Sequence, residues 1–264
     1  MTHIPLWLHQ KVKVVDLSAD FRFQSASVYE KWYEKHTAPQ LLKNTVYGLP
    51  ELYRNKIKKA SLVGNPGCYP TGAILALAPL LKEKLITGNH IIIDSKSGAT
   101  GAGRSAVIES LFCEVNESIH AYKVGKHRHT PEIEQALSDV SGQDIVVSFT
   151  PHLVPMDRGI LSTIYATAVR GATTKMLLKA LSNFYKKEPF VTILPEDILP
   201  KTKDVRGTNH CLIGAVFDSR TQNIVLVAVI DNLMKGASGQ AVQNMNIMYG
   251  LDETTGLKSL PLFP

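Results

Sequence analysis

A cysteine in a tight turn, directly before a long apolar run, is the feature of this sequence that most suggests chemistry. Cys68 lies in the turn-forming segment 64–70, and residues 71–84 are apolar on nearly all sides, which predicts a buried helix. The free N–H groups and the positive dipole end at a helix start favour a thiolate. Cys68 is therefore a candidate nucleophile with an oxyanion site beside it. The alternative is a buried structural cysteine next to a capping turn.

Two histidines separated by one residue form a second candidate group. On an extended segment, His127 and His129 point to the same side of the chain. An imidazole titrates close enough to neutral pH to act as a general acid or base. A nucleophile and its base are neighbours in space rather than in sequence, so Cys68 favours this catalytic interpretation. The alternatives are surface or helix-capping histidines, or a metal site, for which the sequence offers no third ligand nearby at metal spacing.

Two glycine-containing loops are candidate ligand cradles. Residues 97–104 follow a predicted strand, and their backbone N–H groups could hold an anion with the help of Arg104. The glycine spacing there is GxxGxG, which differs from the dinucleotide-binding fingerprint. Residues 235–240 precede a predicted helix in a similar way. A plain loop and a helix cap are the respective alternatives.

The composition narrows the class of protein. The chain has 264 residues, 44% hydrophobic and 20% charged, which is ordinary for a globular protein. A formal net charge of +6 suits anionic small molecules. The densest basic cluster, residues 54–59, is too short to favour nucleic acid. No apolar run is long enough to cross a membrane, so we expect a cytoplasmic protein. The cysteines at 68, 113 and 211 are odd in number and far apart, which argues against a disulfide framework.

The order of predicted elements indicates an α/β or α+β fold. Strands are predicted over residues 11–17, 90–94, 144–149, 162–169 and 223–229. Helices are predicted over residues 71–84, 175–185 and 236–249, and from Thr130 onward. Residues 41–53 are predicted to be irregular, because Gly48 and Pro50 interrupt them. No GxGxxG turn precedes the first strand, so the usual first βαβ unit of a nucleotide-binding enzyme is missing.

Seven segments carry a resemblance to a known family. The most specific is NPGCYPTGAILALAPL, residues 65–80, which contains Cys68. The sequence resembles the N-acetyl-γ-glutamyl-phosphate reductase family, whose members catalyse the third step of arginine biosynthesis. The matching segments run in order over almost the whole chain: residues 14–22, 46–52, 65–80, 95–104, 126–135, 149–160 and 231–246.

The resemblance implies NADPH-dependent reduction of an acyl phosphate to an aldehyde. Cys68 matches the family nucleophile, which displaces phosphate from N-acetylglutamyl 5-phosphate and forms a thioester that hydride then reduces to the semialdehyde. Either His127 or His129 is implied as the acid/base. The implied substrate-binding residues are Arg104 and Tyr122. The implied NADP(H)-binding residues are Ser97, Gly98, Gly101, Gly103, Asn232, Lys235, Gly236 and Gly239.

The resemblance also implies a fold and an assembly. Residues 1–60 are expected to form a truncated Rossmann-type NADP-binding layer. Residues 61–230 are expected to form a mixed-sheet catalytic and dimerisation domain of the semialdehyde dehydrogenase type. Residues 231–264 should return as a helix to the first layer. We expect a homodimer or homotetramer that acts on a small acyl phosphate, without a metal, a membrane or nucleic acid.

One departure from the family pattern affects the expected activity. Family members carry an N-terminal glycine-rich turn, which holds much of the dinucleotide and which this sequence does not show. The 264-residue chain is therefore expected to bind NADPH poorly, although Cys68 should still alkylate faster than a free cysteine at pH 7. The alternative function is a remnant that keeps cysteine acyl-transfer chemistry, ligand binding or dimerisation but little hydride transfer.

Overall fold

A small parallel sheet is built from the first quarter of the chain. The computed structural model describes residues 1–103 and 107–262. Strands β1 (Val14–Asp16), β2 (Val46–Tyr47) and β3 (Leu62–Gly64) pair in the order β1-β3-β2, all parallel. Helices α1 (Ile4–His9), α2 (Ala26–Trp32) and α3 (Pro50–Ile57) belong to the same part of the chain.

The last helix returns to this parallel layer. Helix α8 (Gly239–Tyr249) packs against α3 and β1. Its apolar side chains Ile247 and Met248 join Ile57, Ala60 and Val63 in one small hydrophobic cluster. The first and last parts of the sequence therefore share one core.

A seven-stranded mixed sheet forms the larger part of the molecule. Its strands are β4 (Ile91–Ser97), β5 (His120–Ala121), β6 (Val147–Leu153), β7 (Ile160–Thr167), β8 (Val191–Ile193), β9 (Cys211–Asp218) and β10 (Asn223–Ile230). They follow the order β5-β6-β4-β7-β10-β9-β8. Strand pairs β4–β6 and β8–β9 are parallel, and the other pairs are antiparallel.

Helices cover one face of the mixed sheet and leave side chains on the other face exposed. Helix α4 (Cys68–Lys82) packs on the strands with α6 (Thr130–Ser141) and α7 (Thr174–Phe184) beside it. This position explains why α4 is apolar all round, since it has neighbours on every side. On the opposite face, Ile92 of β4 and its cross-strand neighbour Tyr165 of β7 are 46% and 41% exposed. We call this opposite face the bare face.

The predicted fold class is confirmed, with local corrections. A Rossmann-like parallel layer and a mixed sheet are both present. Residues 41–53 are not irregular throughout, because β2 lies there and Pro50 opens α3 at the first helical position, where its missing N–H costs nothing. Strand β6 continues to Leu153 although it contains Pro151, and β8 and β9 were not predicted. No helix of the described part of the chain is long and apolar enough to span a membrane.

Candidate active site

Cys68 is the first residue of α4, as the turn composition predicts. Strand β3 ends at Gly64, and Gly67 caps the N-terminus of α4 in an extended conformation. The backbone N–H groups of Cys68 and Tyr69 act on the Cys68 thiol by lowering its pKa. These are unpaired donors of the first helical turn, so the sulfur lies at the positive end of the helix.

The protonation of Cys68 differs from the sequence-based expectation. Burial raises the pKa of the Cys68 thiol from 9.0 to about 11, while the charge of Arg22 and the two N–H groups lower it by less. Desolvation therefore outweighs the helix dipole. The expected thiolate at neutral pH, and the faster alkylation at pH 7 that was to follow from it, do not fit this site. A base must remove the thiol proton.

His127 and His129 lie against the cysteine turn and against each other. Their ring centroids are 4.8 Å apart, and both rings pack edge-on against Tyr69, the residue after Cys68. A side chain added at Gly67 would place its Cβ 2.5 Å from His129 Nε2, so this ring fills the space beside the turn. The structure thus brings the cysteine segment and the histidine pair together, although the histidines occupy a turn before α6 rather than an extended strand.

Both imidazoles are held in the neutral form. Burial lowers the pKa of His127 from 6.5 to about 3, and the nearby charges of Lys123 and Arg128 contribute. Burial also lowers the pKa of His129 well below its usual value. The backbone N–H of His129 donates to His127 Nδ1 over 3.1 Å, and the ring nitrogen His129 Nδ1 is buried without a hydrogen-bond partner among the described residues. A neutral ring has a free nitrogen lone pair, and a thiolate formed beside it would raise the pKa of the ring, so a proton transfer from Cys68 depends on the two charges stabilising each other.

Glu132 holds the cysteine turn in place by hydrogen bonds, a role that the sequence did not reveal. Its carboxylate is fully buried in the first turn of α6. One oxygen accepts the Gly67 N–H at 2.7 Å and the Tyr47 hydroxyl at 2.8 Å. The other oxygen lies 3.3 Å from Arg22 Nη1. Glu132 therefore fixes the residue next to Cys68 and keeps its own charge paired.

Arg22 completes this support from the parallel layer. Its Nε donates to the Asn65 carbonyl oxygen at 2.7 Å, and its Nη2 donates to the Leu17 carbonyl oxygen at 2.9 Å. Because these carbonyls follow β3 and β1, Arg22 ties the carboxyl ends of both strands to Glu132. Arg22 and Glu132 both lie in segments that carried the family resemblance. Both segments contain several charged residues, so their sequences alone did not single out Arg22 or Glu132.

Tyr122 reaches the same site. Its hydroxyl lies 2.9 Å from the Tyr69 hydroxyl, and its ring centroid is 5.6 Å from that of His127. Burial raises the pKa of Tyr122 to about 12, so the phenol stays protonated and can donate a hydrogen bond. This placement agrees with a substrate-binding role, which stays a prediction.

The loop after β4 is connected to the rest of the site by Asn232. The Asn232 Oδ1 accepts the Gly159 N–H at 2.7 Å, and its Nδ2 donates to Thr100 Oγ1 at 3.0 Å. Both side-chain polar atoms of Asn232 are therefore hydrogen-bonded to other residues of the protein. Ser97 and Gly98 are buried, whereas Gly101 and Gly103 are exposed. Arg104, a predicted substrate ligand, lies outside the described residues.

The segment before α8 contacts the cysteine directly. Residues Met234–Ser238 form a π-helical turn. A Cβ added at Gly236 would lie 2.8 Å from the Cys68 Cβ, and one at Gly239 would lie 2.4 Å from Asn209 Oδ1. Both glycines therefore permit close packing. Lys235 is fully buried and its ammonium contacts three protein acceptors. Direct cofactor contact by Lys235, as predicted, does not fit this position.

Comparison with known proteins identifies the family. The semialdehyde dehydrogenase dimerisation domain matches residues 68–232, and the semialdehyde dehydrogenase NAD binding domain matches residues 1–60. N-acetyl-gamma-glutamyl-phosphate reductases from Geobacter metallireducens and Pelobacter propionicus are 59% and 57% identical over 100% of this chain and 77% of their own length. The chain belongs to the N-acetyl-gamma-glutamyl-phosphate reductase family.

A solved structure supports the fold of this reductase family member. The chain is similar to aspartate semialdehyde dehydrogenase II from Vibrio cholerae, with a TM-score of 0.71 and 17% identity. The match covers 94% of this chain and 76% of that protein. At this identity the likeness concerns the fold, that is, a parallel nucleotide-binding layer joined to a mixed sheet.

The site of this reductase family member fits a nicotinamide cofactor. The carboxyl ends of β1 and β3 meet at the Cys68 turn, and this edge of a parallel sheet is where dinucleotides bind. Gly101 and Gly103 are exposed in the loop that Asn232 contacts through Thr100, and a side chain at Gly103 would meet open space. The match to an NAD binding domain agrees with this arrangement.

The other two cysteines occupy different places. Cys113 is exposed on α5 (Phe112–Val115), and Cys211 is buried in β9 as part of the main core. Burial raises the pKa of the Cys211 thiol, so it stays protonated. Within residues 1–103 and 107–262, no group of three or more metal-ligating side chains comes together.

Proposed function

We propose that this chain reduces N-acetyl-L-glutamyl 5-phosphate to N-acetyl-L-glutamate 5-semialdehyde and phosphate, with NADPH as the reductant. The names of relatives that are 55–59% identical over the whole chain support this activity. The observation that carries it is the neutral histidine pair packed against the turn that presents Cys68 at a helix start. Acyl transfer to sulfur requires a nucleophile, a proton acceptor and an oxyanion site, and these residues supply all three.

The first half of the reaction transfers the acyl group to sulfur. The histidine pair takes the Cys68 thiol proton, and the sulfur attacks the acyl carbon. The N–H groups of Cys68 and Tyr69 are placed to stabilise the oxyanion. The C–O bond to phosphate then breaks, phosphate leaves with its electron pair and takes a proton from solvent to become hydrogen phosphate, and a thioester remains on Cys68. Because the thiol has a pKa of about 11, the sulfur is a strong nucleophile once the proton is removed.

The second half releases the aldehyde. When bound beside the loop after β4 and the segment before α8, NADPH would supply the hydride that the thioester carbonyl carbon takes up. The C–S bond breaks, the sulfur takes the electron pair, and the proton held on the histidine pair returns to it. Burial of both imidazoles favours their return to the neutral form. Cys68 is then ready for another cycle.

The remaining site residues are proposed in two groups. Arg104 and the Tyr122 hydroxyl are assigned to the substrate. The cofactor side contains residues of the loop after β4 and of the segment before α8, where Asn232 acts by holding the loop in place. This group consists of Ser97, Gly98, Gly101, Gly103, Asn232, Gly236 and Gly239.

The proposed domains also separate cofactor binding from catalysis. Residues 1–60 form the NADP-binding layer, residues 61–230 the catalytic and dimerisation domain, and residues 231–264 the return to the first layer. Strand β3 lies just beyond residue 60 yet pairs with β1 and β2, so the two parts share the strand that leads to Cys68.

The bare face of the mixed sheet is proposed as the contact with a second copy of this chain. The match to a dimerisation domain over residues 68–232 supports oligomerisation. Ile92 and Tyr165 supply exposed apolar surface there, and Lys96 pairs with Asp94 on the same face at 2.9 Å. Such a sheet-to-sheet contact gives a homodimer, and two dimers would give a homotetramer. We place the protein in the cytoplasm with the other enzymes of its pathway.

The test measures the complete reaction in the reverse direction and acyl transfer in the forward direction. The purified chain is assayed in reverse, with N-acetylglutamate semialdehyde, phosphate and NADP+, by the absorbance of NADPH. Cys68→Ser should abolish the signal, and Cys113→Ser is the matched control that should retain it. Phosphate release from the acyl phosphate without NADPH oxidation would instead indicate acyl transfer alone. A Cys68→Ser variant with wild-type activity would refute the proposed mechanism.

A further inference from the structure

A lysine ammonium is sealed inside the molecule next to the active site. Lys235 is 0% exposed, and its Nζ lies 2.6 Å from Glu51 Oε1, 2.6 Å from Gln240 Oε1 and 2.8 Å from Gln243 Oε1. Its carboxylate partner Glu51 is fully buried as well. A buried ion pair costs so much desolvation that apolar residues of the same size often stabilise a protein equally well. The contribution to folding stability therefore does not explain why Lys235 and Glu51 are paired inside the protein.

The partners of Lys235 come from separate parts of the fold. Glu51 lies in the first turn of α3, in the parallel layer, whereas Gln240 and Gln243 lie on α8. Gln243 also accepts from Asn209, which precedes β9. The ammonium thus joins the parallel layer directly to α8, and Gln243 extends this contact to Asn209 before β9.

That point lies in the π-helical turn that contacts Cys68. Gly236, the next residue, packs so closely that an added Cβ would be 2.8 Å from the Cys68 Cβ. The Ala237 carbonyl oxygen accepts from Asn65 Nδ2 at 3.1 Å, and Asn65 lies in the cysteine turn. Two successive residues after Lys235 therefore touch the segment that presents the nucleophile. π-Helical turns are rare and frequently lie at functional sites.

We propose that Lys235 is a positioning residue for Cys68. Its ammonium fixes the π-helical turn against the parallel layer, and the turn in turn fixes the cysteine segment relative to the histidine pair. Neutralising the buried pair would remove the contacts of the ammonium that hold the turn in place. A displacement of about 1 Å in an active site can cost about 100-fold in rate. The kinetic part of this proposal rests on the proposed reductase function, whereas the thiol chemistry does not.

The test uses a double variant that leaves no buried charge unpaired. Lys235→Met/Glu51→Gln keeps side-chain volume, whereas Lys235→Met alone would leave the Glu51 carboxylate buried without its counter-charge. All proteins carry Cys113→Ser so that iodoacetamide reports on Cys68. Lys179→Met, at an exposed lysine on α7, is the control. Melting temperature, alkylation rate from pH 7 to 10, kcat and KM are measured on each.

A positioning role gives a specific pattern of results. The double variant should melt within a few degrees of the control, alkylate about tenfold more slowly, and lose about 100-fold in kcat with little change in KM. A double variant that melts, alkylates and turns over like the control would reduce Lys235 to a structural residue. If the double variant does not fold, Gln240→Met, which removes one acceptor of the ammonium, is judged by the same readouts. An inactive parent protein would count against the reductase function, and the alkylation rates would still decide the role of Lys235.

Discussion

Lowering the pH from 7 to 5 should destabilise this chain through His127. In the unfolded chain this imidazole binds a proton below its ordinary pKa of 6.5, whereas in the folded protein its pKa is about 3. Between these values the unfolded state holds more protons, so the free energy of unfolding falls as the pH falls. At pH 5 the ordinary pKa exceeds the pH by about 1.5, which corresponds to about 2 kcal/mol lost through His127 alone. The loss begins near pH 6.5 and levels off near pH 3.

Urea unfolding at pH 7 and pH 5 measures this loss. The free energy of unfolding of the wild type should fall by about 2 kcal/mol more than that of His127→Gln, which cannot titrate at this position. The comparison concerns the change with pH, so a lower absolute stability of the variant does not affect it. His9→Gln, at an exposed histidine of α1, should behave like the wild type. Equal pH dependence of the wild type and His127→Gln would refute the argument that His127 is kept neutral by burial.

Three further substitutions test separate parts of the site. Gly236→Ala places a methyl group against the Cys68 Cβ, so it should cost about 1–3 kcal/mol in urea unfolding and lower kcat; unchanged values would mean that the π-helical turn moves freely. Glu132→Gln leaves the buried Arg22 guanidinium without its counter-charge and should cost about 3–5 kcal/mol, measured in the same way, whereas a loss below 1 kcal/mol would contradict the support role. Tyr165→Arg puts a charge on the bare face and should give monomers in light scattering, and a variant with the wild-type mass would place the subunit contact elsewhere.

Local sequence signals predicted the elements that carry the site. The start of α4 at Cys68 follows from a glycine- and proline-rich turn next to an apolar run, and both signals lie within about twenty residues of sequence. The return of the C-terminal helix to the parallel layer came from the family resemblance. Strand β9 was missed, because its residues show no strong alternation of apolar and polar side chains. Its pairing with β10 and β8 is a tertiary feature.

The chemistry of the site could be predicted only in part. The residue types at Cys68 and the histidine pair indicated acyl transfer, and the structure brings these segments together. The protonation of Cys68 was predicted in the wrong direction, because the helix dipole is a local property and burial is a tertiary one. The role of Glu132 was not visible either, since its partner Arg22 lies 110 positions away.

The contacts between α8 or the π-helical turn and the parallel layer join residues that are far apart in the sequence. This separation determines when the enzyme becomes active during synthesis. The Lys235–Glu51 contact joins positions 184 apart, and the hydrogen bond from Asn244 to Asn65 joins positions 179 apart. Contacts of such long range form late in folding, because the chain between them must first be ordered. A nascent chain that still lacks α8 therefore carries Cys68 without the π-helical turn and without the Asn244 contact. Catalytic competence therefore requires that α8 has left the ribosome and has packed onto the parallel layer.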